Sequence, residues 1–432
     1  MNYKDIVEEV EFRNAEELFK ELSVVGKYKF LFDRYIFRGQ SDENHKLISS
    51  ILRSDKLNIL FDEEVKNKYI EKEVFENIHK EKEYELLCSF YEEADKRGLF
   101  VPEVEDIREI AINKEKKLMS DLEEEEWLSK KFEDLSALAQ HYGLPTRLLD
   151  WSRDIYTALY FSVSTGTETS SSNKIVLWAF DIRKIYELNE EIIKINSQTE
   201  KRNENKKKYN LDVENNTDEF GAKKYYSTKN ESLKDKTLKS NRALIKKNTN
   251  KIPLDIKELY LEILKYNNEI EKLNEEIINY NKEAMLLEKD IKLLMQLKNY
   301  PIPLKIVIPP YYFNQNLNAQ SGILIYYKTK WKKNPENILL LKSEEKNKNK
   351  VENIVRDRIP LDKLIFECIK NLPEDILSEE NKIFYKFTLP KSEEIKLLEK
   401  LHLLGYDGAR LFPGYNGIKK KLDERRRIKI NK

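Results

Sequence analysis

The sequence predicts an α+β fold: one mixed-sheet domain with a helical region in its N-terminal part, interrupted by a long coiled-coil insertion. Three observations point there. Strand-like apolar runs fall in two blocks, 1–183 and 300–424, and neither block holds enough of them for a sheet of its own. Between them, over 184–299, Lys, Asn and Glu dominate before a heptad pattern takes over. Amphipathic helical patterns flank the strands in both blocks. One split domain is more economical than several independent ones, although 432 residues would accommodate two or three.

In the first block, "NAEELFKELSVVG" (14–26) reads as a short helix. Asn14 can cap it, Leu18, Leu22 and Val25 share a face, and Gly26 stops it. "YKFLFDRYIFRG" (28–39) has the aromatic and β-branched density of a strand or hairpin, which Arg38 and Gly39 end. "HKLISSILR" (45–53) offers a short helical face. Residues 61–134 are mostly helical and highly charged, with Val74, Ile78, Leu86, Leu87 and Phe90 at helical spacing. "DLSALAQHYGLP" (134–145) is a short helix with Ser136 as its cap, closed by Gly143 and Pro145. "SRDIYTALYFSVSTG" is the next helix, with Ile155, Ala158, Leu159 and Ser162 inward, and "KIVLWAFDI" (174–182) is a strand.

The insertion begins with charge-rich sequence over 185–250, too poor in apolar residues to pack on its own strength. Then Ile256, Leu259, Ile263, Tyr266, Ile270, Leu273, Ile277, Tyr280, Ala284, Leu287, Ile291 and Leu294 alternate spacings of three and four. That is an a/d seam, and as a helix 256–294 would span about 58 Å. The seam fits a homodimer, a partner protein, or an antiparallel hairpin with a helix drawn from 185–250.

Globular composition returns with "PIPLKIVIPPYYF" (301–313) and the strand "SGILIYYK" (321–328). "LIFECI" (364–369) is a strand or short helix, and "IFYKFTLP" (383–390) alternates as a strand does. "SEEIKLLEKLHLLG" (392–405) is an amphipathic helix bounded by Ser392 and Gly405. "ARLFPGYNGIKKKLDE" closes the domain, and 425–432, "RRRIKINK", reads as a basic tail.

Composition narrows the function classes. Lys and Arg number 78 against 77 Asp and Glu, so overall charge supplies no argument for nucleic acid or for a membrane surface. The basic runs "KRNENKKK" and "RRRIKINK" leave nucleic acid as a minor expectation. Two cysteines without a CxxC and four scattered histidines argue against a disulfide framework and against a metal site. No apolar stretch approaches the roughly 20 residues of a membrane span, and no signal-peptide pattern is present. The expected compartment is the cytoplasm.

Four stretches carry candidate chemistry. In "FRGQ" (37–40), an arginine at a strand end can grip a carboxylate or phosphate with both arms, or pair with a buried acid. Gly39 beside it lets a ligand or another backbone come close. "ALAQHYGLPTRLLDWS" (137–152) concentrates Gln140, His141, Tyr142, Thr146, Arg147, Asp150 and Trp151 on one inter-helix loop, as a buried polar network or a site wall would. Arg147 and Asp150 are close enough in sequence to pair, and the helix dipole would favour the charged form of His141. "NQNLNAQSGIL" (314–324) sets Gln320 and Gly322 just before a strand. "ARLFPGYNGI" (409–418) is turn-rich and reads as packing.

Together, "FRGQ" with "KLISSILR", "ALAQHYGLPTRLLDWS" with "TALYFSV", "NAQSGIL", and "KFTLP" with "LFPGYNGI" resemble the FRG domain family, over most of 30–183 and 300–420. The resemblance implies a bacterial or phage protein of defence or toxin type. The family's Arg-Gly motif is similar to the NAD-binding arginine of ADP-ribosyltransferase folds, so an NAD-using ADP-ribosyltransferase or NAD glycohydrolase is implied. Carried over, Arg38, Gly39 and Gln40 would hold NAD with Tyr142, Thr146, Arg147 and Trp151, while Asp150, Gln320 and His141 would be catalytic. Transferases place a glutamate near Gln320; here an amide stands, which leaves Asp150 as the candidate carboxylate. The other reading is a non-catalytic nucleotide- or partner-binding sensor that dimerises or recruits through 256–294.

Overall fold

The computed structural model describes residues 2–105, 107–108, 126–164, 172–194, 302–309, 315–330, 348–370 and 382–431. The chain divides into two compact units, Met1–Glu190 with Asn299–Lys432, and Glu191–Lys298. The heptad segment 256–294 and the charged stretch before it lie outside the described residues.

The first unit is mixed α/β, built on a seven-stranded sheet that draws strands from both sides of the insertion. In chain order they are β1 (Val7–Glu11), β2 (Tyr35–Gln40), β3 (Leu149–Ser152), β4 (Lys174–Asp181), β5 (Leu304–Val307), β6 (Gly322–Tyr327) and β7 (Phe384–Pro390). Across the sheet the order is β1-β7-β4-β2-β3-β6-β5, with β1 and β7 parallel and every other pair antiparallel. The helices that matter here are α1 (Ala15–Glu21), α2 (Lys72–Asp95), α3 (Glu133–His141), α4 (Ile155–Val163), α5 (Glu394–Leu403) and α6 (Tyr415–Ile430).

Two apolar clusters fix these helices to the sheet. In one, Leu18 of α1, Ala158 and Leu159 of α4 and Leu397 and Leu401 of α5 pack on Phe37, Leu177 and Phe387. In the other, Tyr84 and Leu87 of α2 and Leu135 and Ala139 of α3 pack with Trp127 on Val307, Leu324 and Tyr326. Burying such side chains, at about 1.5–3 kcal/mol each, is the main attraction between layers. Local signals agree with it. Asn14 caps α1 by accepting from the Glu17 N–H at 2.9 Å. Asp154 caps α4, accepting from the Tyr156 N–H at 3.0 Å and the Thr157 hydroxyl at 2.9 Å.

Several expectations are corrected. The run 28–34 is turns and a one-turn helix, Leu31–Arg34, so the strand starts only at Tyr35. Its aromatic rings serve packing instead of pairing: Tyr28 and Phe30 lie against Tyr385 at 6.0 and 5.6 Å between centroids. Residues 45–53 hold a 3₁₀ turn at Ser50–Leu52 in place of a helical face. Ser136 is buried inside α3, which begins at Glu133 after a 3₁₀ turn. Of the two readings given for "LIFECI", strand or short helix, the helix holds, within Leu361–Ile369. The basic segment 425–432 is largely the end of α6, where Arg427 donates to Glu394 at 2.9 Å and to the Val163 carbonyl at 3.1 Å.

The most consequential correction concerns α2. Its buried face is not the apolar row that its sequence offers. Phe75, Tyr84, Leu87 and Tyr91 are inside, but so are Asn77, His79, Lys80 and Glu83. A long helix that buries this much charge must supply partners for it from other parts of the chain.

Candidate functional site

The cleft originates in the sheet itself. Strands β2 and β3 are joined through a single residue pair, Phe37 with Ser152. Where they part, a cavity of about 530 Å³ opens, within the range of small-molecule sites. Ala137, Gln140 and His141 of α3 form one wall and Ala158 and Phe161 of α4 another. Gln320, Gly322 and Phe412 come from beyond the insertion.

Arg38 is the central cation. Its Nη1 donates to the Asp150 carbonyl at 2.6 Å and lies 3.9 Å from the Asp150 carboxylate. Its Nε is buried without a hydrogen-bond partner. The side chain is 16 % exposed while that of Asp150 is 63 % exposed, so the carboxylate sits in solvent at the cleft and the guanidinium lies behind it. Burial lowers the Arg38 pKa to about 10; Asp150 opposes that shift and Arg53, also in the cleft wall, adds to it. At neutral pH Arg38 therefore remains a cation in an environment that favours an incoming anion. Asp150 is held by Gln140, whose amide donates to its Oδ1 at 2.5 Å, and Gln140 in turn accepts from the Thr146 hydroxyl.

The structure brings Arg38, Gly39, Gln40, His141, Asp150, Trp151 and Gln320 to this one cleft. It assigns several of them work that the sequence did not show. The space beside Gly39 belongs to α4: a Cβ there would meet the Ala158 carbonyl oxygen at 1.8 Å. Gln40 accepts from the Trp178 indole at 3.0 Å. The Gln320 side-chain amide donates to the Leu411 carbonyl at 2.9 Å, and the Gln320 backbone carbonyl accepts from the Ser152 hydroxyl at 2.7 Å, which ties the closing segment to β3. His141 has its pKa lowered by burial, so the neutral form is favoured, opposite to the expectation from the helix dipole.

Three expected members do not line the cleft. Tyr142 is exposed, with its ring edge against His141. Thr146 is buried behind Gln140. Arg147 pairs not with Asp150 but with Glu83 of α2, Nε to Oε2 at 2.5 Å. That carboxylate also accepts from the Trp127 indole at 2.8 Å and from His79 Nδ1 at 2.6 Å. Burial alone would raise the Glu83 pKa; Arg147 and His79 outweigh it and hold it at about 2. Arg53, which the sequence reading did not select, and Gln140, which it named in the loop without a role at the site, belong to the cleft. Gln140 stood in the dense loop, and its spacing of ten residues from Asp150 becomes a contact only once α3 and β3 pack.

With this geometry in place, the comparison with known families has a physical counterpart. Residues 33–171, which supply β2, α3, β3 and α4, match the FRG domain. The chain is an FRG domain-containing protein. No curated protein and no solved structure matches it. Among the described residues no cluster of three His, Cys, Asp or Glu side chains could hold a metal ion, and no helix is long and apolar enough to cross a membrane.

Proposed function

We propose that the cleft binds a phosphate-bearing nucleotide, with NAD as the substrate, and breaks its nicotinamide–ribose bond. The observation that carries this reading is the meeting of Arg38 and Asp150 in one cavity large enough for such a ligand. Arg38 would neutralise phosphate through the guanidinium face not used by the Asp150 carbonyl. Asp150, oriented by Gln140, would accept a hydrogen bond from a ribose hydroxyl and stabilise the positive charge that develops on the sugar as the bond breaks. Nicotinamide leaves with the bonding electron pair. Water, or a nucleophilic group of a target, adds to the ribose carbon and gives up its proton to solvent.

The test is nicotinamide release from NAD by the purified protein, alone and with candidate targets. Asp150→Asn should lower the rate by about 100-fold or more, and Arg38→Ala should weaken substrate binding by at least about tenfold. A second reading, binding without turnover, is favoured by one observation: the Gln320 amide is committed to Leu411 and does not reach for a ribose. Thermal stabilisation by NAD, lost in Arg38→Ala but without nicotinamide release, would establish that reading. Neither turnover nor stabilisation sinks both.

A further inference from the structure

A second cavity of about 290 Å³ lies on the other side of β3, against the polar face of α2. Side chains alternate across a strand, so Leu149, paired with Ile325, faces away from Asp150, paired with Leu324. Leu47, Leu149, Ile325, Leu361 and Leu364 give the cavity an apolar lining, and Glu76, Lys80, Arg147 and Arg358 edge it.

The charges at that edge do not balance. Arg358 is paired: Nε and Nη2 reach the two Glu76 oxygens at 3.0 and 3.2 Å, and Nη1 donates to the Leu52 carbonyl at 2.9 Å. Arg147 uses Nε on Glu83, while its buried Nη2 has no hydrogen-bond partner. Lys80, almost fully buried, donates to two neutral acceptors, the Lys330 carbonyl at 2.8 Å and Asn77 Oδ1 at 3.5 Å. Its pKa is lowered to about 8 by burial and by Arg147, with Glu76, Glu83 and, least, Glu73 opposing. Glu76 and Glu83 are engaged by Arg358 and Arg147, and burial holds the neighbouring His79 towards its neutral form. Among the buried groups one positive charge is left over beside an apolar hollow, whose wall also includes the exposed Lys72, and buried charges require a counter-charge or a metal.

We infer that this hollow is a second ligand site for a small amphipathic monoanion, its carboxylate on the Lys80 ammonium and Arg147 Nη2 and its hydrocarbon body against Leu149, Ile325, Leu361 and Leu364. The pairing of one excess cation with a mainly apolar wall selects against free phosphate, which would need more donors, and against neutral hydrocarbons, which would leave Lys80 uncompensated.

Octanoate is the probe, read by thermal shift and calorimetry on the full chain, with 1-octanol and inorganic phosphate as single-feature controls. Octanoate should bind saturably, and neither control should match it. Lys80→Met keeps the hydrocarbon stem and should weaken octanoate by about tenfold or more, as expected for a lost charge-assisted hydrogen bond. Leu364→Trp fills the hollow while leaving the charges and should abolish binding. Arg38→Ala, in the other cavity, should leave octanoate unaffected. The proposal is overturned if octanoate does not bind, if 1-octanol binds as well, if Leu364→Trp still binds, or if Arg38→Ala removes binding.

Discussion

Gly39→Ala isolates what the glycine of the Arg-Gly pair is for. Ordinary van der Waals contact starts at 3.4 Å, and the added Cβ would sit 1.8 Å from the Ala158 carbonyl oxygen and 2.8 Å from the Ser162 backbone nitrogen. The backbones of β2 and α4 must separate by about 1.6 Å. Nothing there can rotate aside, because both obstacles are main chain. Ala158, Leu159 and Val163 are fully buried, so retreat of α4 opens the cluster that holds α1 and α5. Overpacking of this kind costs about 3 kcal/mol or more, the upper end of the usual range. Gly322→Ala is the internal control: its nearest obstacle is the Leu317 Cδ1 methyl at 2.3 Å, a side-chain tip that can turn for about 1 kcal/mol, and the main chain comes no closer than the Leu317 carbonyl oxygen at 3.1 Å, a few tenths of an ångström short of ordinary contact. Urea denaturation followed by tryptophan fluorescence should show a midpoint loss for Gly39→Ala at least twice that of Gly322→Ala. If Gly39→Ala unfolds like the parent chain but loses nucleotide binding, the close approach of α4 is not what the glycine serves, and the reasoning is refuted.

Two further outcomes follow from other parts of the molecule. Glu83→Gln leaves Arg147 buried without its counter-charge and should cost about 3–5 kcal/mol in the same denaturation assay. The Glu83 pKa is lower folded, at about 2, than its ordinary 4.5, so its contribution of about 3 kcal/mol is complete above 4.5 and is lost as pH falls towards 2. The parent chain should therefore lose more stability between pH 4.5 and 2 than Glu83→Gln does; equal acid limbs would count against the ion pair. In the heptad segment, Ile270→Asp should lower the mass measured by light scattering if the seam joins two chains, and an unchanged monomeric mass in both forms would mean that it closes within one chain.

Much of the site could be read from short stretches because its chemistry is locally dense. "FRGQ", "HYGLPTRLLDW" and "AQSG" each announce themselves by residue types that have no reason to cluster in a plain core, and Arg38, Asp150 and Gln320 do line one cleft. Helix α4 was legible for a similar reason: its inward residues recur at helical spacing, and all four of Ile155, Ala158, Leu159 and Ser162 are buried.

What stayed hidden depends on pairings between distant positions. Arg147 stands three residues from Asp150, yet its partner is Glu83, 64 residues away. Sequence proximity suggested the first pair; strand alternation and the docking of α2 decided the second. The polar face of α2 reads as solvent-facing because charged residues usually are, and Arg147, Arg358, Trp127 and the Lys330 carbonyl, arriving from elsewhere, make it buryable. Residue types, the helices and strands with a clear period such as α4 and β4, and the segments that carry chemistry were readable along the chain, since these rest on propensity and short-range spacing. The tertiary structure alone decided that Gly39 makes room for a helix, that β2 and β3 part to form the cleft, and that one buried cation is left beside a second hollow. Those depend on which backbones and charges the sheet brings face to face.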